Sequence, residues 1–285
     1  MRVLTLLLIC LSSLGAPATA AIPARIVSTA PSLTEALFAL GLGPSVVGVT
    51  DYCLFPPEAA AKPKIGTFLQ PSLERILALK PDLVLTLRNP VQLTEKLRRL
   101  GLRTEEFNED TTADVFSALH KLGNLTSRQA EAIKITASIS RDFDFVRATA
   151  AALPKRRVLF LVGRSPGTFQ GMYGAGAGTF IDELMSMAGG LNVLASLGQQ
   201  YPKVSVEQIL SFDPDVILDM GNLDHAAGRP LQPESEVVKL WAQYPQLRAV
   251  RGKRVRIVAG EIYIRPGPRM GQAARAFLRL IQGIQ

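Results

Sequence analysis

Short runs of β-type apolar residues alternate along the chain with segments whose apolar positions recur every three or four residues, and one such arrangement occurs twice. Residues 70–89 read QPSLERILALKPDLVLTLRN and residues 203–222 read KVSVEQILSFDPDVILDMGN. Ser72, Glu74, Ile76, Leu77, Pro81, Asp82, Leu85 and Asn89 thus recur as Ser205, Glu207, Ile209, Leu210, Pro214, Asp215, Leu218 and Asn222. Each copy opens with a Ser able to cap a helix and a Glu in the first turn. It continues with apolar residues at helical spacing and stops at Pro-Asp before a buried-type strand. Upstream, PSLTEALFALGLG (31–43) is echoed by GTFIDELMSMAGG (178–190), an amphipathic helix with an acidic first turn and a Gly-rich end. The pattern predicts an α/β chain of two similar lobes, with function placed between them.

In order, the pattern predicts a strand at RIVSTA (25–30), a helix from Ser32, a strand at VVGVT (46–50) and a long loop carrying aromatic residues. After the first repeated unit come a helix at VQLTEKLRRL, a strand near RTEEF and a helix ending at Gly123. Strands alternating with helices indicate a mostly parallel sheet covered on both faces. Between the lobes, Ile135, Ile139, Phe143, Val146, Ala150 and Leu153 form one apolar stripe, with Thr126 and Gln129 spaced as a capping box and Pro154 past the end. This predicts a single helix of roughly 40 Å acting as a strut, which limits the lobes to small tilts. The second lobe opens with RRVLFLVG and closes with a terminal helix. The expected organisation is therefore an N-terminal lobe at 21–125, an interlobe helix at 126–154 and a C-terminal lobe at 155–285.

Composition changes this picture little: 47% hydrophobic and 20% charged residues are ordinary for globular protein. The first twenty residues stand apart. Arg2, the apolar run VLTLLLIC and Ala18-Thr19-Ala20 have the form of a secretory signal cleaved near Ala20, so residues 1–20 are read as a signal peptide and the mature protein as periplasmic. The bulky Ile9 before Cys10 departs from a lipid-attachment box. With Cys10 removed only Cys53 remains, which leaves no internal disulfide and suits a passive buried thiol. The net charge of +8 is spread over scattered Lys and Arg without an aromatic-interleaved basic stripe, which argues against nucleic acid.

Ready-made catalysis is absent from the sequence. Two histidines, His120 and His225, accompany no zinc, phosphate-loop or nucleophile-elbow motif, so the chain is read as a non-enzyme without a cofactor. The glycine loop GMYGAGAG lacks the spacing of a dinucleotide fingerprint and is assigned backbone flexibility at a cleft edge. The aromatic residues carry more. Tyr52, Phe55 and Phe68 fall in first-lobe loops, and Phe169, Tyr173, Tyr201 and Tyr263 in second-lobe loops. Rigid apolar walls with polar tips suit a bulky, partly apolar ligand, although Phe55 is expected to plug its own lobe.

Taken together, VTDYCLFPPEAAAKPKIGTFLQPSLERILALKPDLVL, GTFIDELMSMAGGLNV, YPKVSVEQILSFDPDVIL and the closing GPR before a helix resemble the periplasmic binding proteins that deliver cobalamin, ferric siderophores or haem to ABC importers. The likeness covers nearly the whole mature chain and is greatest to the cobalamin-binding members. It implies two Rossmann-like lobes joined by a single long α-helix, the class III periplasmic binding protein fold. Tyr52 and Phe68 fall where those proteins present a Tyr and a Trp to the corrin. Phe169 and Tyr201 fall where the second lobe presents a Phe and a Trp, and Glu261 where an acidic residue meets the ligand. Tyr263 joins this expected set. Arg88, Arg164 and Arg265 are the arginines that would meet an anionic chelate if the ligand were a ferric siderophore. Glu74 and Glu207 match the pair of surface glutamates, one per lobe, with which the family grips a permease dimer, and the resemblance implies a monomeric carrier. The alternatives are haem or a ferric siderophore on the same fold, or an exported enzyme with an interlobe site.

Overall fold

A computed structural model describes residues 22–88, 92–221, 223–224, 229–230, 233–258 and 260–284. Residues 1–20, read above as a signal peptide, with Cys10, the repeat members Asn89 and Asn222, and His225 lie outside these residues. The first half contains β1 (Ile26–Ser28), α1 (Pro31–Ala39), β2 (Val46–Val49), α2 (Pro57–Ala60), α3 (Leu73–Ala78), β3 (Leu83–Leu87), α4 (Leu93–Arg99), β4 (Thr104–Phe107) and α5 (Thr112–Leu125). Helix α6 (Gln129–Ala151) follows. The second half contains β5 (Arg156–Gly163), β6 (Tyr173–Gly174), α7 (Phe180–Met187), β7 (Gly190–Asn192), α8 (Val206–Phe212), β8 (Val216–Asp219), β9 (Leu223–Asp224), β10 (Arg229–Pro230), α9 (Glu234–Trp241), α10 (Arg248–Arg251), β11 (Val255–Ile257) and α11 (Met270–Gln282). The first sheet is parallel throughout, in the order β2-β1-β3-β4. In the second, β11, β8 and β5 are parallel neighbours, and β6, antiparallel, and β7, parallel, pair with β5.

The duplicated sequence unit folds the same way twice, down to its polar contacts. Ser72 and Ser205 cap α3 and α8, accepting from the backbone N–H groups of Arg75 and Gln208. Asp82 accepts from the N–H groups of Ala24 and Arg25 at 2.8 and 3.1 Å, tying the entry of β1 to β3, and Asp215 accepts from Arg157 N–H at 2.8 Å at the entry of β5. The side chain of Arg25 then donates to the last carbonyls of α3, at Leu79 and Lys80, as that of Arg157 donates to Phe212 at the end of α8. A cation on the carbonyl end of a helix satisfies groups that have no partner within the helix and opposes the dipole favourably. The repeat therefore encodes a clamp: the Asp after Pro holds the neighbouring strand, whose Arg holds the helix.

Side chains alternate across each sheet, so the continuous apolar strands fill two layers each. Ile26, Leu83 and Leu85 of the first sheet and Val158, Phe160, Val216 and Leu218 of the second all enter one core with α1, α5, α6, α7 and α11. On the outer faces, Val27 and Val84 pack with Ile76, Leu93 and Leu97, while Leu159, Leu161 and Ile217 pack with Ile209 and the fully buried Trp241. The central core is continuous from sheet to sheet. Helix α6, 23 residues or about 35 Å long, buries Ala132, Thr136, Ile139, Phe143, Val146 and Ala150 on that side. Arg275 of α11 donates to Asp142 of α6 at 2.6 Å, so two helices brace the lobes.

Two local expectations fail for identifiable reasons. Thr126 and Gln129 form no capping box, because α5 continues past Gly123 and ends on Thr126, whose hydroxyl donates to Leu122 O at 2.7 Å; Arg128 takes the N-cap of α6 without a side-chain bond. Gly123 is not a stop signal: a Cβ there would lie 2.8 Å from the Cβ of Ala132, so glycine permits α5 and α6 to cross closely. Within the glycine loop, Gly176 is closely packed. A Cβ on Gly176 would lie 2.1 Å from the carbonyl oxygen of Gln199, and its N–H donates to Gln200 O at 2.7 Å.

Candidate functional site

The carboxyl ends of β1 and β3 open on a cavity of about 350 Å³. Ala30, Pro31 and Ser32 at the head of α1, Tyr52 and Phe68 from the long loop, and Leu87 at the end of β3 form one wall; Ile264, Arg265 and Pro266, from the segment leading into α11, form the other. Ligands of open α/β sheets sit beyond the carboxyl ends of strands for a general reason, since the loops there are free to vary while the sheet fixes their bases. Tyr52 is 38% exposed at the mouth, and Phe68 is half-buried against the central core. Arg265 donates to the carbonyl of Tyr52 at 3.4 Å, which joins the two walls.

Charges around the cavity are balanced within the chain. Arg265 pairs with Glu261, both side chains largely buried, and its Nε is buried without a hydrogen-bond partner among the described residues. Behind Pro266, Arg269 donates twice to Glu35 of α1, at 2.7 and 2.6 Å, while its guanidinium stacks on Phe55, 3.9 Å from the ring centroid. Phe55, expected to plug its own lobe, thus covers an ion pair between lobes. Burial raises the Glu35 pKa above the usual range, and Arg269 opposes that rise through its hydrogen bonds and charge. Glu35 and Arg269 also border a wider groove of about 810 Å³ that runs along α1 past Phe38, Pro44 and Lys62.

The other expected residues are not gathered at this cavity. Arg88 lies exposed just beyond β3, where its charge acts on Asp114. Phe169 turns into the second lobe, edge-on to Trp241 and Tyr244 at centroid distances of 4.7 and 5.3 Å. Tyr263 packs edge-on against Phe277 at 5.4 Å, and burial pushes its phenol pKa up. Tyr201 stands 49% exposed on the second lobe; its pKa is raised by burial and then by Asp110 of the first lobe, so it faces the cleft from the far side. Near it, Phe180 N–H donates to Asp110 O, and Thr112 N–H to Glu183 at 2.8 Å, giving a second seam between lobes. Arg164 is fully buried and paired with Asp219 at 3.0 Å, an acceptor also for Trp241 Nε1 at 2.8 Å, and is a core group. Cys53 is a buried thiol between Thr34 and Thr50, with its pKa raised by burial, and His120 is exposed on α5. Glu74 and Glu207 are exposed in the first turns of α3 and α8. Among the described residues no group of three or more His, Cys, Asp or Glu is placed to hold a metal ion.

Two lobes on a shared helical brace, with a cleft at the strand ends, is the geometry of a carrier, and residues 26–260 match the family described as periplasmic binding protein. The chain belongs to that family. It is 29% identical over 272 residues to a vitamin B12-binding protein of Photorhabdus laumondii, with 94% of this chain and 91% of the relative covered. Among solved structures it resembles the periplasmic vitamin B12 binding protein BtuF of Vibrio cholerae, at 26% identity and a TM-score of 0.75 over 91% of this chain and 96% of that one. It resembles the periplasmic heme-binding protein RhuT from Roseiflexus sp. RS-1 to the same degree, at 27% identity and a TM-score of 0.75 over 90% of this chain and 99% of that one. The class III fold of two parallel-sheet lobes is thus that of periplasmic binding proteins.

Sequence reasoning named Arg265 but missed its neighbours Ile264 and Pro266, with Ser32 and Leu87, as cavity wall, and Glu109 behind it. A Ser at the start of a helix and a Leu at the end of a strand look like ordinary structural residues. Only the pairing of β1 with β3 and the return of the C-terminal segment bring them together.

Proposed function

We propose that this periplasmic binding protein captures a cobalamin-type corrinoid between its lobes and delivers it to the permease dimer of an ABC importer. The observation that carries the reading is the charge state of the cleft. The guanidiniums at the cavity and behind it, Arg265 and Arg269, are each already matched by a carboxylate of the chain. What remains at the cavity wall is an aromatic and apolar lining, with Tyr52, Phe68, Leu87, Ile264 and Pro266. A corrinoid rim of uncharged carboxamides fits such a wall, whereas haem carboxylates or an anionic ferric chelate would seek an unmatched cation. The cavity admits one edge of a macrocycle, leaving its faces to Tyr52 on one lobe and Tyr201 on the other.

On this reading the protein is a monomeric carrier and not an enzyme, exported by a signal peptide cleaved near Ala20. Glu74 and Glu207 meet the permease. The test is titration of the mature protein with cyanocobalamin, haemin and a ferric siderophore. Saturable one-to-one binding of cyanocobalamin, with the other two weaker, is expected. Preference for haemin or the chelate would replace the corrinoid reading with the anionic alternative.

A further inference from the structure

One wall of the cavity is the head of α1, and that helix begins uncapped. Ala30 occupies the N-cap without a side-chain bond, and Pro31 at the first position has no N–H to give. The equivalent helix α7 differs, its N-cap Thr179 accepting from Asp182 N–H at 3.1 Å. An uncapped helix head leaves backbone donors and the positive end of the dipole directed at whatever lies beyond it. Here Ala30, Pro31 and Ser32 line the cavity.

Behind Ser32 lies a second, independent feature. Glu109, two residues past β4, is only 8% exposed, and its Oε2 is buried with no hydrogen-bond partner among the described residues. Its carboxyl group meets the Ser32 side chain, and the charge that acts on it is another carboxylate, Glu35, which is itself engaged by Arg269 and influenced by Arg265 and Glu261. Burial and the like charge of Glu35 favour the neutral acid and outweigh the Ser32 hydrogen bond, which acts in the opposite direction. Accordingly, burial pushes its pKa up to about 8. The protonation state decides whether Glu109 can donate to the neighbouring hydroxyl at all. A neutral acid donates its O–H to Ser32 Oγ and leaves the Ser32 proton for the cavity; a carboxylate can only accept, and draws that proton back.

We propose that Ser32 and the head of α1 form a hydrogen-bond-donating subsite for a neutral carbonyl oxygen of the ligand, with Glu109 as the positioning residue that keeps the Ser32 proton turned toward it. The inference rests on the cleft being the ligand site and adds to it the chemistry of one contact: a carboxamide carbonyl accepting from a serine whose polarity is set from behind. Tyr201, Tyr263 and Cys53 have their pKa values raised by burial, out of the range in which Glu109 titrates.

Calorimetric titration with cyanocobalamin at pH 6.5 and pH 9.5 tests this on the mature protein, Glu109→Gln and Ser32→Ala. Wild-type affinity should fall about fivefold to tenfold at the higher pH, the factor associated with losing one hydrogen bond. Glu109→Gln, which can still donate an N–H to Ser32 but cannot ionise, should keep the affinity measured at pH 6.5 at both values. Ser32→Ala should be weaker at pH 6.5 and insensitive to pH. Wild-type behaviour of Ser32→Ala, or retention of the pH-dependent fall by Glu109→Gln, overturns the proposal, and the latter variant decides alone if the former does not fold. Absence of wild-type binding at pH 6.5 would instead refute the corrinoid reading. The same series with haemin would then probe the subsite with a carboxylate oxygen.

Discussion

Glu35 on α1 and Arg269 at the head of α11 hold each other through two hydrogen bonds across the interlobe boundary, 234 residues apart in sequence, with Glu35 5% and Arg269 18% exposed at the side chain. Breaking such a pair by removing one partner leaves a buried charge without compensation, which typically costs about 3 kcal/mol. Arg269→Met should therefore lower the urea midpoint substantially. A Glu35→Met, Arg269→Met double variant should recover most of the loss, because two apolar side chains of similar volume leave no orphan. A double variant no more stable than the single would show that the pair acts through packing on Phe55 and not through charge.

Glu109 gives stability a slope with pH that ordinary carboxylates do not. In the unfolded chain a Glu ionises near 4.5, whereas the native group is pushed up to about 8. Between those values the native state holds a proton that the unfolded state has released, so stability is fully present below the lower value and declines as pH rises through the higher one. At ~1.4 kcal/mol per pH unit the whole decline, from 4.5 to about 8, is on the order of 5 kcal/mol. Urea denaturation of wild type at pH 6 and pH 9 should show the part of it that lies above pH 6, about 3 kcal/mol. Glu109→Gln should remove most of the slope, leaving the part due to Glu35, whose pKa is raised in the same direction. Equal slopes in both proteins would mean that Glu109 is ionised at neutral pH.

Much of the fold was legible because the repeat encodes it. Ser72, Pro81 and Asp82 with their partners Ser205, Pro214 and Asp215 declare a helix, a turn and a strand twice, and the clamp they form needs only local sequence and one neighbouring strand. The interlobe helix showed through the spacing of Ile139, Phe143, Val146 and Ala150. The site was less legible. Tyr52 and Phe68 are where loop aromatics suggest, but Phe169 has the same local signature and is drawn into the core by Trp241 and Tyr244, partners that lie about seventy residues away and leave no local trace. Glu109 reads as a surface carboxylate, and only the fold buries it and brings it to the Ser32 side chain of α1.

The contrast between these aromatics can be measured. Tyr52→Ala and Tyr201→Ala should each weaken ligand binding about tenfold with little change in melting, since an exposed wall residue buries its area only when ligand arrives, at ~25 cal/mol per Å². Phe169→Ala should do the reverse. It removes a ring packed on two others and should cost about 2–3 kcal/mol of stability while leaving affinity near wild type. Calorimetry and thermal melts on the three variants check both halves. Unchanged affinity in both tyrosine variants would remove them from the ligand wall.

Glu74 and Glu207 should act on the importer and not on the ligand. Each stands two residues after a capping Ser, at equivalent places in α3 and α8, and each is exposed, one per lobe. The Ser205 hydrogen bond leads the causes that hold Glu207 below the usual carboxylate range, so the group is a fixed anion at any physiological pH. Two separated anionic knobs on a two-lobed surface suit a two-fold partner, since charge-assisted bonds to an Arg on each subunit set register and orientation together. Screening by solvent keeps the dipole contribution of exposed glutamates small. A Glu74→Gln, Glu207→Gln double variant should accordingly melt near wild type and bind ligand normally. It should fail to stimulate transport by the reconstituted importer, and the single variants should fall between. Full stimulation by the double variant would reduce the two residues to helix starts, because nothing in their surroundings then distinguishes them from any acidic first turn.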